Sequence, residues 1–153
     1  MNDEQDVALS TDAVGKNYPA VTYAVGREKI REYAMAVGES DPLHHDPESA
    51  REAGYADVVA PRMFAVVFCN PAIGPALFDP KIGIDFAHMV HGAQEFVWEE
   101  PVVAGDEIST VVSVKDISER GGMRFYVFES RSVNQRDELM CTGTWSNIVR
   151  ASG

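Results

Sequence analysis

The sequence predicts an α+β fold in which a curved antiparallel sheet wraps around a central buried helix. Helical patterns are confined to the first half of the chain, and the one that begins at Pro61 is apolar nearly all round. The second half reads as four extended segments with turn residues between them. These segments cover residues 84–99, 107–118, 122–134 and 138–150. A buried helix followed by antiparallel strands packs most simply as two layers.

The first elements of the chain are a strand and an amphipathic helix. Residues 21–25 are β-branched or aromatic, which favours a strand. Residues 27–37 carry apolar side chains at positions i, i+3, i+4 and i+7, which is typical of a helix with one buried face. Gly38 is expected to end this helix, because glycine readily adopts the left-handed conformation at a helix end.

Two further helices are predicted before the strands. Residues 47–54 suit a short helix in which Asp46 is the N-cap, Pro47 the first residue and Gly54 the stop. The buried helix follows from Pro61. Three residues within it are expected to break or kink it, because proline and glycine disfavour a helix interior. They are Pro71, Gly74 and Pro75.

The strand at 122–134 carries large apolar side chains on both faces. This pattern predicts a sheet that a helix covers on one side and a loop or a partner covers on the other. One helix under one sheet also leaves an edge strand exposed. A dimer would cover that edge.

The length of 153 residues suits a single domain, which we place at residues 16–150. Residues 1–15 contain few apolar anchors and are expected to form a flexible N-terminal leader. The acidic N-terminus lacks the basic start and apolar core of a signal peptide, and the apolar stretch at 63–69 is too short to span a bilayer. We therefore expect a cytoplasmic protein without a membrane partner.

The net charge of −11 argues against nucleic acid as a partner, because such proteins need clustered lysine and arginine. An anionic small ligand remains compatible with it through a local basic patch. The two cysteines, Cys69 and Cys141, are far apart in sequence and lack the spacing of metal ligands. Both are interpreted as reduced residues of the core.

The loop at residues 38–47 holds two imidazoles and three carboxylates, and two prolines keep it out of a helix. Histidine next to a carboxylate can transfer protons near neutral pH. A metal is not expected, because His44 and His45 are adjacent and a third ligand is not obvious. A cofactor is not expected either, since the chain has no glycine-rich phosphate loop.

Several blocks of the sequence resemble a known family. Residues 38–46 read Gly-Glu-Ser-Asp-Pro-Leu-His-His-Asp, followed by Gly-Tyr at 54–55 and Ala-Pro-Arg-Met at 60–63. They are similar to the MaoC-like (R)-specific enoyl-thioester hydratases and 3-hydroxyacyl-thioester dehydratases, whose loop reads Gly-Asp-x-Asn-Pro-x-His-x-Asp. The Ala-Pro variant and the segment at 90–96 look more like an actinobacterial branch of small dehydratase subunits. The resemblance covers about residues 12–150.

The resemblance implies a hot-dog fold and the reversible addition of water to a trans-2-enoyl thioester, carried by coenzyme A or an acyl-carrier protein. His44 and Glu39 would be the catalytic acid–base pair, with Asp41 as a substitute or an orienting group. The start of the buried helix, at Pro61, Arg62 and Met63, would bind the substrate. There a backbone N–H of Arg62 or Met63 would polarise the thioester carbonyl, since Pro61 has none.

The chain departs from the family pattern at two positions. Glu39 stands where the family has its catalytic aspartate, and Asp41 stands where it has asparagine. Which carboxylate faces the substrate is therefore left open. The departures are also compatible with an alternative function, that of a non-catalytic subunit that holds substrate for an active hot-dog partner. The chain would pair either with a copy of itself or with such a partner. A hot-dog thioesterase is a third, less favoured reading.

Other residues receive structural interpretations. His45 falls on a variable family position and is interpreted as solvated or as helping locally, and Asp46 as an N-cap. His91 and Gln94 are assigned to a strand edge rather than to a pocket. Aromatic residues of the strands are assigned to the core: Phe96, Trp98, Phe125, Phe128 and Trp145. Four basic residues are interpreted as solvated rather than phosphate-binding: Arg27, Lys29, Arg31 and Arg51.

Overall fold

A computed structural model describes residues 8–150 of the chain, which form five strands and three α-helices. In chain order these are β1 (Val21–Ala24), α1 (Arg27–Val37), α2 (Pro47–Glu52), α3 (Ala65–Leu77), β2 (Met89–Trp98), β3 (Glu107–Arg120), β4 (Met123–Val133) and β5 (Leu139–Arg150). Short 3-10 turns lie at Pro42–His44, Arg62–Phe64 and Phe86–His88.

The strands form one antiparallel sheet in the order β1-β3-β4-β5-β2, and α3 packs against its inner face. Phe64 and Phe68, at the start of this helical segment, are fully buried, as are Tyr126 and Phe128 of β4 on the facing strand. Burial of such side chains is the main stabilising contribution to a fold. The predicted arrangement of a curved sheet around a central buried helix is confirmed.

Side chains on the strands alternate between the two faces of the sheet, as the sequence pattern predicted. On β3 the residues Ile108, Val112 and Val114 face the helix and are buried. A β-bulge between Val114 and Asp116 then shifts the register, so Ile117 becomes the buried residue. Such a bulge bends a strand, which suits a sheet that curves around a helix.

The prediction that Pro71, Gly74 and Pro75 break or kink the buried helix was wrong about a break, because α3 continues to Leu77. Both prolines are exposed, and they lie four residues apart on one side of the helix. The carbonyl groups that lose a hydrogen bond to a proline nitrogen can therefore reach water. Burial of the opposite side against the sheet outweighs the poor helix propensity.

The first extended segment is shorter than predicted. β2 begins at Met89, whereas residues 86–88 form a 3-10 turn that Asp85 caps by accepting a hydrogen bond from the backbone N–H of Ala87 at 3.0 Å. A bulge between His91 and Ala93 lies at Gly92. An added Cβ at Gly92 would come within 2.6 Å of the Ile148 side chain, so β2 passes close to β5 at this residue.

The predicted leader lies partly outside the described residues, since nothing is described before residue 8. Its end packs on the sheet, where Ala13 is buried and the backbone N–H of Gly15 donates to the Val114 carbonyl at 2.8 Å. A polar cluster then joins it to the end of α3. There, Lys16 Nζ and Tyr18 OH donate to Asp79 Oδ2 at 2.6 and 2.7 Å. These two hydrogen bonds hold the pKa of Asp79 well below its ordinary value.

Among the described residues, none of the helices has the length and apolar character needed to cross a membrane.

Candidate active site

The site begins at the end of α1. Gly38 adopts a left-handed conformation with φ of 76°, and the backbone N–H of Glu39 donates to the Ala34 carbonyl at 2.8 Å. This geometry ends the helix as predicted and satisfies one of its last carbonyl groups. The chain then turns away, which brings the carboxylate of Glu39 to the cavity described below.

Asp41 shapes the next turn. Its Oδ1 accepts a hydrogen bond from the backbone N–H of Leu43 at 2.9 Å, so the side chain caps the 3-10 turn at Pro42–His44. The backbone N–H of His44 in turn donates to the Asp41 carbonyl at 3.0 Å. Asp41 therefore has a structural role in fixing the segment that carries His44, although it also lines the cavity.

His44 is half-buried, and its Nδ1 lies 2.6 Å from the carbonyl oxygen of Val59. A carbonyl oxygen only accepts, so Nδ1 carries the hydrogen and donates it. In the neutral ring, Nε2 is then the nitrogen with a lone pair, and it can take a proton from a bound molecule. The backbone of Val59 thus sets the tautomer of His44.

The Val59 carbonyl is itself held in place from several directions. The backbone N–H of Val59 donates to the Leu43 carbonyl at 2.8 Å, and that of Ala60 donates to the Val102 carbonyl at the same distance. The preceding Asp57 accepts two hydrogen bonds from the Arg27 guanidinium at 2.8 and 2.6 Å. These bonds are the largest cause of the lowered pKa of Asp57.

His45 stabilises the loop at residues 38–47 through a hydrogen bond to its backbone. Its Nε2 lies 2.7 Å from the carbonyl oxygen of Glu39, so Nε2 carries a hydrogen and donates it. Asp46 caps α2 as predicted, because its side chain accepts from the backbone N–H groups of Glu48 and Ser49 at 3.2 Å. The interpretation of His45 as a locally helping residue therefore agrees with its contact.

The start of the central helix lines the same cavity as His44. Pro61 is the N-cap of the 3-10 turn that leads into α3, and the first backbone N–H groups in that turn belong to Arg62 and Met63. Such groups have no acceptor within their own helix. Trp98 at the end of β2 holds this corner, since its Nε1 donates to the Arg62 carbonyl at 2.9 Å.

These elements enclose a cavity of about 830 Å³. Its inner wall is apolar and includes Ala65, Phe68, Val102, Met140 and Cys141, whereas its mouth carries several charged groups. The charged side chains that line it are Glu39, Asp41, Glu99, Glu100 and Arg62. A volume of this size is typical of a pocket for a small organic molecule with an apolar part.

The six residues that the sequence singled out lie on this one cavity: Glu39, Asp41, His44, Pro61, Arg62 and Met63. Their proximity is a feature of the structure, whereas their chemical roles remain predictions. Within residues 8–150, no hydrogen bond or ion pair engages the Glu39 carboxylate. Both carboxylates are exposed, but one oxygen of Asp41 already accepts the hydrogen bond from the Leu43 backbone.

Some lining residues were missed by the sequence reading. Trp98 was assigned to the core, but its side chain is 37% exposed and lines the cavity. Tyr33 and Tyr55 also line it, as do Met140 and Cys141 from β5. The sequence did contain an indication that Trp98 is partly exposed. It stands next to Glu99 and Glu100 at the end of β2, where a fully buried side chain is unusual.

The basic residues near α1 are engaged with acidic partners. Arg27 binds Asp57, Arg31 binds Glu28 at 2.8 Å, and Arg51 lies 3.8 Å from Asp57. Lys29 lies 3.6 Å from Glu32, and the four basic side chains are half-exposed or more. Arg62 is the cationic residue at the cavity mouth, and its guanidinium lies 5.9 Å from the centre of the Trp98 ring.

Comparison with known proteins agrees with this architecture. A family model described as "FAS1-like, dehydratase domain region" matches residues 12–143. The chain belongs to the FAS1-like dehydratase region family. A UPF0336 protein of Saccharopolyspora erythraea is 41% identical to it over 145 residues, which are 94% of this chain and 93% of that protein. A UPF0336 protein of Streptomyces avermitilis is 43% identical over 147 residues, or 95% of this chain and 98% of that protein.

Solved structures of a dehydratase and a hydratase share the fold. The truncated HadBC (3R)-hydroxyacyl-ACP dehydratase complex from Mycobacterium tuberculosis contains a chain with a TM-score of 0.79 and 28% identity, covering 90% of this chain and 98% of that one. The (R)-hydratase from A. caviae, at 19% identity and a TM-score of 0.66, shares the fold alone; it covers 88% of this chain and 94% of that one. The resemblance to MaoC-like hot-dog dehydratases is confirmed, and a dehydratase-type function is supported.

Proposed function

We propose that the chain is a hydro-lyase that reversibly hydrates trans-2-enoyl thioesters to (3R)-3-hydroxyacyl thioesters in fatty-acid metabolism. The observation that carries this proposal is the fixed tautomer of His44 on a cavity that the start of the central helical segment also lines. A proton-accepting nitrogen thereby shares the cavity with the backbone N–H groups of Arg62 and Met63, which have no acceptor within residues 8–150. Both are needed when water adds next to a thioester carbonyl.

In the hydration direction, a water molecule held between His44 and the Glu39 carboxylate loses a proton to Nε2 of His44 as its oxygen bonds to Cβ of the enoyl group. The imidazolium then gives that proton to Cα, while the Glu39 carboxylate orients the water and stabilises the imidazolium. Glu39 is assigned this role because its carboxylate has no partner within residues 8–150, whereas Asp41 is engaged in capping the loop. Positioned acid–base groups typically contribute about 10²–10⁴-fold to a rate.

The thioester oxygen gains negative charge as the water adds, since an enolate forms. A backbone N–H of Arg62 or Met63 at the front of the central helix is suited to stabilise that charge. Removing one such donor typically raises a barrier by roughly 3–4 kcal/mol. Pro61 contributes no N–H, and its fixed φ of −54° sets the direction of the turn.

The apolar inner wall is suited to an acyl chain. Phe68, Val102 and Met140 are buried side chains that an alkyl chain would contact. The proposed substrate is therefore an acyl thioester whose tail enters the cavity while its coenzyme A or carrier-protein arm leaves past Arg62.

A second candidate function is a substrate-holding subunit that is inactive without a catalytic partner. The observation that favours it is Glu39, whose side chain is one methylene longer than the aspartate of the family, or about 1.5 Å. A misplacement of this size can cost roughly 10²-fold in rate. The relative from Mycobacterium tuberculosis is a two-subunit complex, which makes this alternative worth testing.

Either function is proposed to involve a second hot-dog chain, a copy or a different subunit, paired along β2. β2 lies at the end of the sheet and pairs with β5 alone. Its residues Val90 and Val97 are 60% and 52% exposed. Both polar atoms of the Gln94 amide on this strand are buried without a partner in the described part of the chain. A partner strand would supply hydrogen bonds to such an edge.

The test measures whether the purified protein hydrates crotonyl-CoA and longer enoyl-CoA thioesters. The reaction is monitored by the loss of enoyl absorbance. Turnover by the chain alone supports the hydro-lyase. Turnover that requires an added hot-dog subunit supports the substrate-holding role. Release of free thiol without hydration would instead identify a thioesterase.

A further inference from the structure

The guanidinium of Arg62 is a cation at the mouth of the cavity that makes no hydrogen bond or ion pair with any residue from 8 to 150. Other arginines of this acidic chain do bind a carboxylate, since Arg27, Arg31 and Arg136 each have a carboxylate oxygen within 2.9 Å. Four carboxylates line the same cavity as Arg62, yet none of them forms an ion pair with it. Its N–H donors are therefore available to a ligand.

Trp98 holds Arg62 at two points. The indole Nε1 donates to the Arg62 carbonyl at 2.9 Å, and the guanidinium carbon lies 5.9 Å from the centre of the indole ring. The second distance is in the range of a cation–π contact, which attracts a guanidinium without using its N–H donors. An aromatic ring thus restricts the position of this charge and leaves its donors free to bind.

The backbone and the side chain of Arg62 serve two ends of the same cavity. The backbone N–H of Arg62, or that of Met63, is the proposed donor to the thioester carbonyl at the start of the central helix. The side chain of Arg62 is exposed and lies at the cavity mouth. A substrate bound to the backbone group therefore passes the guanidinium where its arm leaves the protein.

The reach of the side chain selects one group on that arm. An extended Arg62 side chain spans about 6 Å from Cα to the guanidinium carbon. The extended pantetheine arm likewise spans about 6 Å from the thioester carbonyl carbon to the carbon of its first amide. The second amide lies about 10 Å along the arm and the phosphate about 16 Å. The first amide is therefore the group that the guanidinium meets.

The charges of the mouth favour the same group. A phosphate held by Arg62 would lie among the carboxylates that line the cavity, and like charges repel. These carboxylates belong to Glu39, Asp41, Glu99 and Glu100. An amide is neutral, and its carbonyl oxygen accepts hydrogen bonds from a guanidinium. The mouth is thus suited to a neutral part of the arm rather than to its phosphate.

We propose that the Arg62 guanidinium donates a hydrogen bond to the first amide carbonyl of the pantetheine arm of the substrate. Coenzyme A and acyl-carrier proteins both present this amide, so Arg62 would recognise the shared part of the two carriers. Together with the backbone donor, this contact fixes the thioester at two points and orients its carbonyl toward the start of the central helix. The inference rests on the proposed function, because it concerns the arm of the same thioester.

The experiment compares the affinities of saturated thioesters, which bind without being hydrated. The probes are butyryl-CoA, butyryl-pantetheine, butyryl-N-acetylcysteamine and S-ethyl thiobutyrate, and NMR titration gives each Kd. Arg62→Met keeps the backbone N–H and the length of the side chain but has no guanidinium. We expect it to weaken the first three ligands by about 10-fold each, the effect of losing one hydrogen bond to a charged group.

S-ethyl thiobutyrate has no amide, so its affinity should be the same for wild type and Arg62→Met. A purified acyl-carrier protein that carries the butyryl group should lose the same factor as butyryl-CoA. Arg62→Lys should recover part of the loss, because an ammonium donates hydrogen bonds without the planar fork of arginine. Arg131→Met is the matched control, since it removes an exposed positive charge on β4 away from this cavity and should leave every affinity unchanged.

The wild-type protein provides a readout that does not depend on how a variant folds. In protein with ¹⁵N-labelled arginine, butyryl-N-acetylcysteamine should shift one Nε–H signal, and S-ethyl thiobutyrate should leave it in place. The spectrum of Arg62→Lys should lack this signal, which assigns it. A spectrum in which no arginine Nε–H signal responds to the amide-bearing ligand would contradict the contact.

Several affinity patterns would overturn the proposal. They are equal affinities for wild type and Arg62→Met, a loss limited to one of the two carriers, a loss that spares butyryl-N-acetylcysteamine, an equal loss for S-ethyl thiobutyrate, and no binding of any probe to wild type. The proposed function fails separately. Binding that depends on Arg62 without hydration of enoyl thioesters would refute the hydro-lyase alone, whereas hydration with affinities that are independent of Arg62 would refute this inference alone.

Discussion

Nδ1 of His44 donates a hydrogen bond to the backbone carbonyl of Val59 across 2.6 Å. Residue 59 is held by hydrogen bonds to the Leu43 carbonyl and, through its neighbour, to Val102. The loop at residues 38–47 and the segment before the central helix are therefore held together through the Val59 backbone. The bond to His44 depends on the position of that carbonyl, whereas the Val59 side chain lines the cavity.

The first prediction concerns the ring of His44. His44→Ala removes the proposed base and is expected to lower kcat of enoyl-CoA hydration by at least ~10²-fold, with a smaller change in KM. His44→Asn is the matched variant, since its amide can still donate to the Val59 carbonyl but cannot accept a proton near neutral pH. Steady-state kinetics on crotonyl-CoA measure both. A fully active His44→Ala protein, free of contaminating hydratase, would remove His44 from the mechanism.

The second prediction separates the two carboxylates. Glu39→Gln is expected to lower kcat by about 10²-fold or more, because the carboxylate proposed to orient the water and stabilise the His44 imidazolium is lost. Asp41→Asn keeps an oxygen that can accept from the Leu43 N–H and should retain most activity. Asp41→Ala removes that cap and is expected to destabilise the fold by about 1 kcal/mol. Kinetics and urea denaturation of the three variants measure this, and the reverse order of the kcat losses would assign Asp41 as the acid–base group.

The layout of the fold was accessible from the sequence because its signals are local. The stripe of α1, the caps at Asp46 and Gly38, and the alternation of β4 are each set by residues a few positions apart. The continuation of α3 through its prolines could not be read locally, since burial against distant strands decides it. The cavity was predictable only at the two blocks that resemble a known motif, the loop at 38–46 and the helix start at 60–63.

The rest of the site is formed by contacts between residues that are far apart in the sequence. Trp98 reaches the Arg62 carbonyl from 36 positions away, and Ser132 meets Cys69 across 63 positions. No periodic pattern in a single sequence predicts which distant residues will be in contact. The different roles of Glu39 and Asp41 could not be predicted from the sequence either. The role of a carboxylate depends on which hydrogen bonds it already accepts, and only the structure gives those.

The third prediction concerns His45, which is a positioning residue. His45→Ala removes the hydrogen bond to the Glu39 carbonyl and should loosen the backbone that carries Glu39. We expect kcat to fall by up to about 10²-fold while KM changes little. His45→Gln offers an amide donor in a similar place and should recover part of the loss. If Ala and Gln variants are equally slow while both fold normally, the backbone hydrogen bond is not what matters.

The fourth prediction concerns acid stability. The pKa of Asp79 is lower in the folded chain than in the unfolded chain, because Lys16 and Tyr18 donate hydrogen bonds to its carboxylate. The unfolded chain therefore binds more protons in acid, and the stabilisation is complete above the unfolded pKa of about 3.9. It is lost as pH falls below that value toward the folded pKa. Low pH thus weakens the contact between the N-terminal segment and the end of α3.

Thermal melts of Asp79→Asn and wild type across pH measure this effect. The melting temperature of the variant should be lower than that of wild type at pH 7, and the difference should shrink below about pH 3.9. Asp12→Asn, which changes an exposed carboxylate before the same segment, is the control and should change little at either pH. A difference that stays constant with pH would mean that Asp79 contributes through packing rather than charge.

The fifth prediction compares two glycines. An added Cβ at Gly143 on β5 would lie 2.5 Å from Ser130 Oγ and 2.8 Å from the ring of Phe96, where neither neighbour has room to move. Gly143→Ala should therefore destabilise the protein by about 1–3 kcal/mol through overpacking. Gly26→Ala is the control, because Gly26 has a φ of −104°, which alanine also adopts, and an added Cβ there meets nothing within 4 Å. It should change the stability by less than about 1 kcal/mol. Chemical denaturation measures both variants, and a neutral Gly143→Ala variant would contradict the close approach of β5 to β2 and β4.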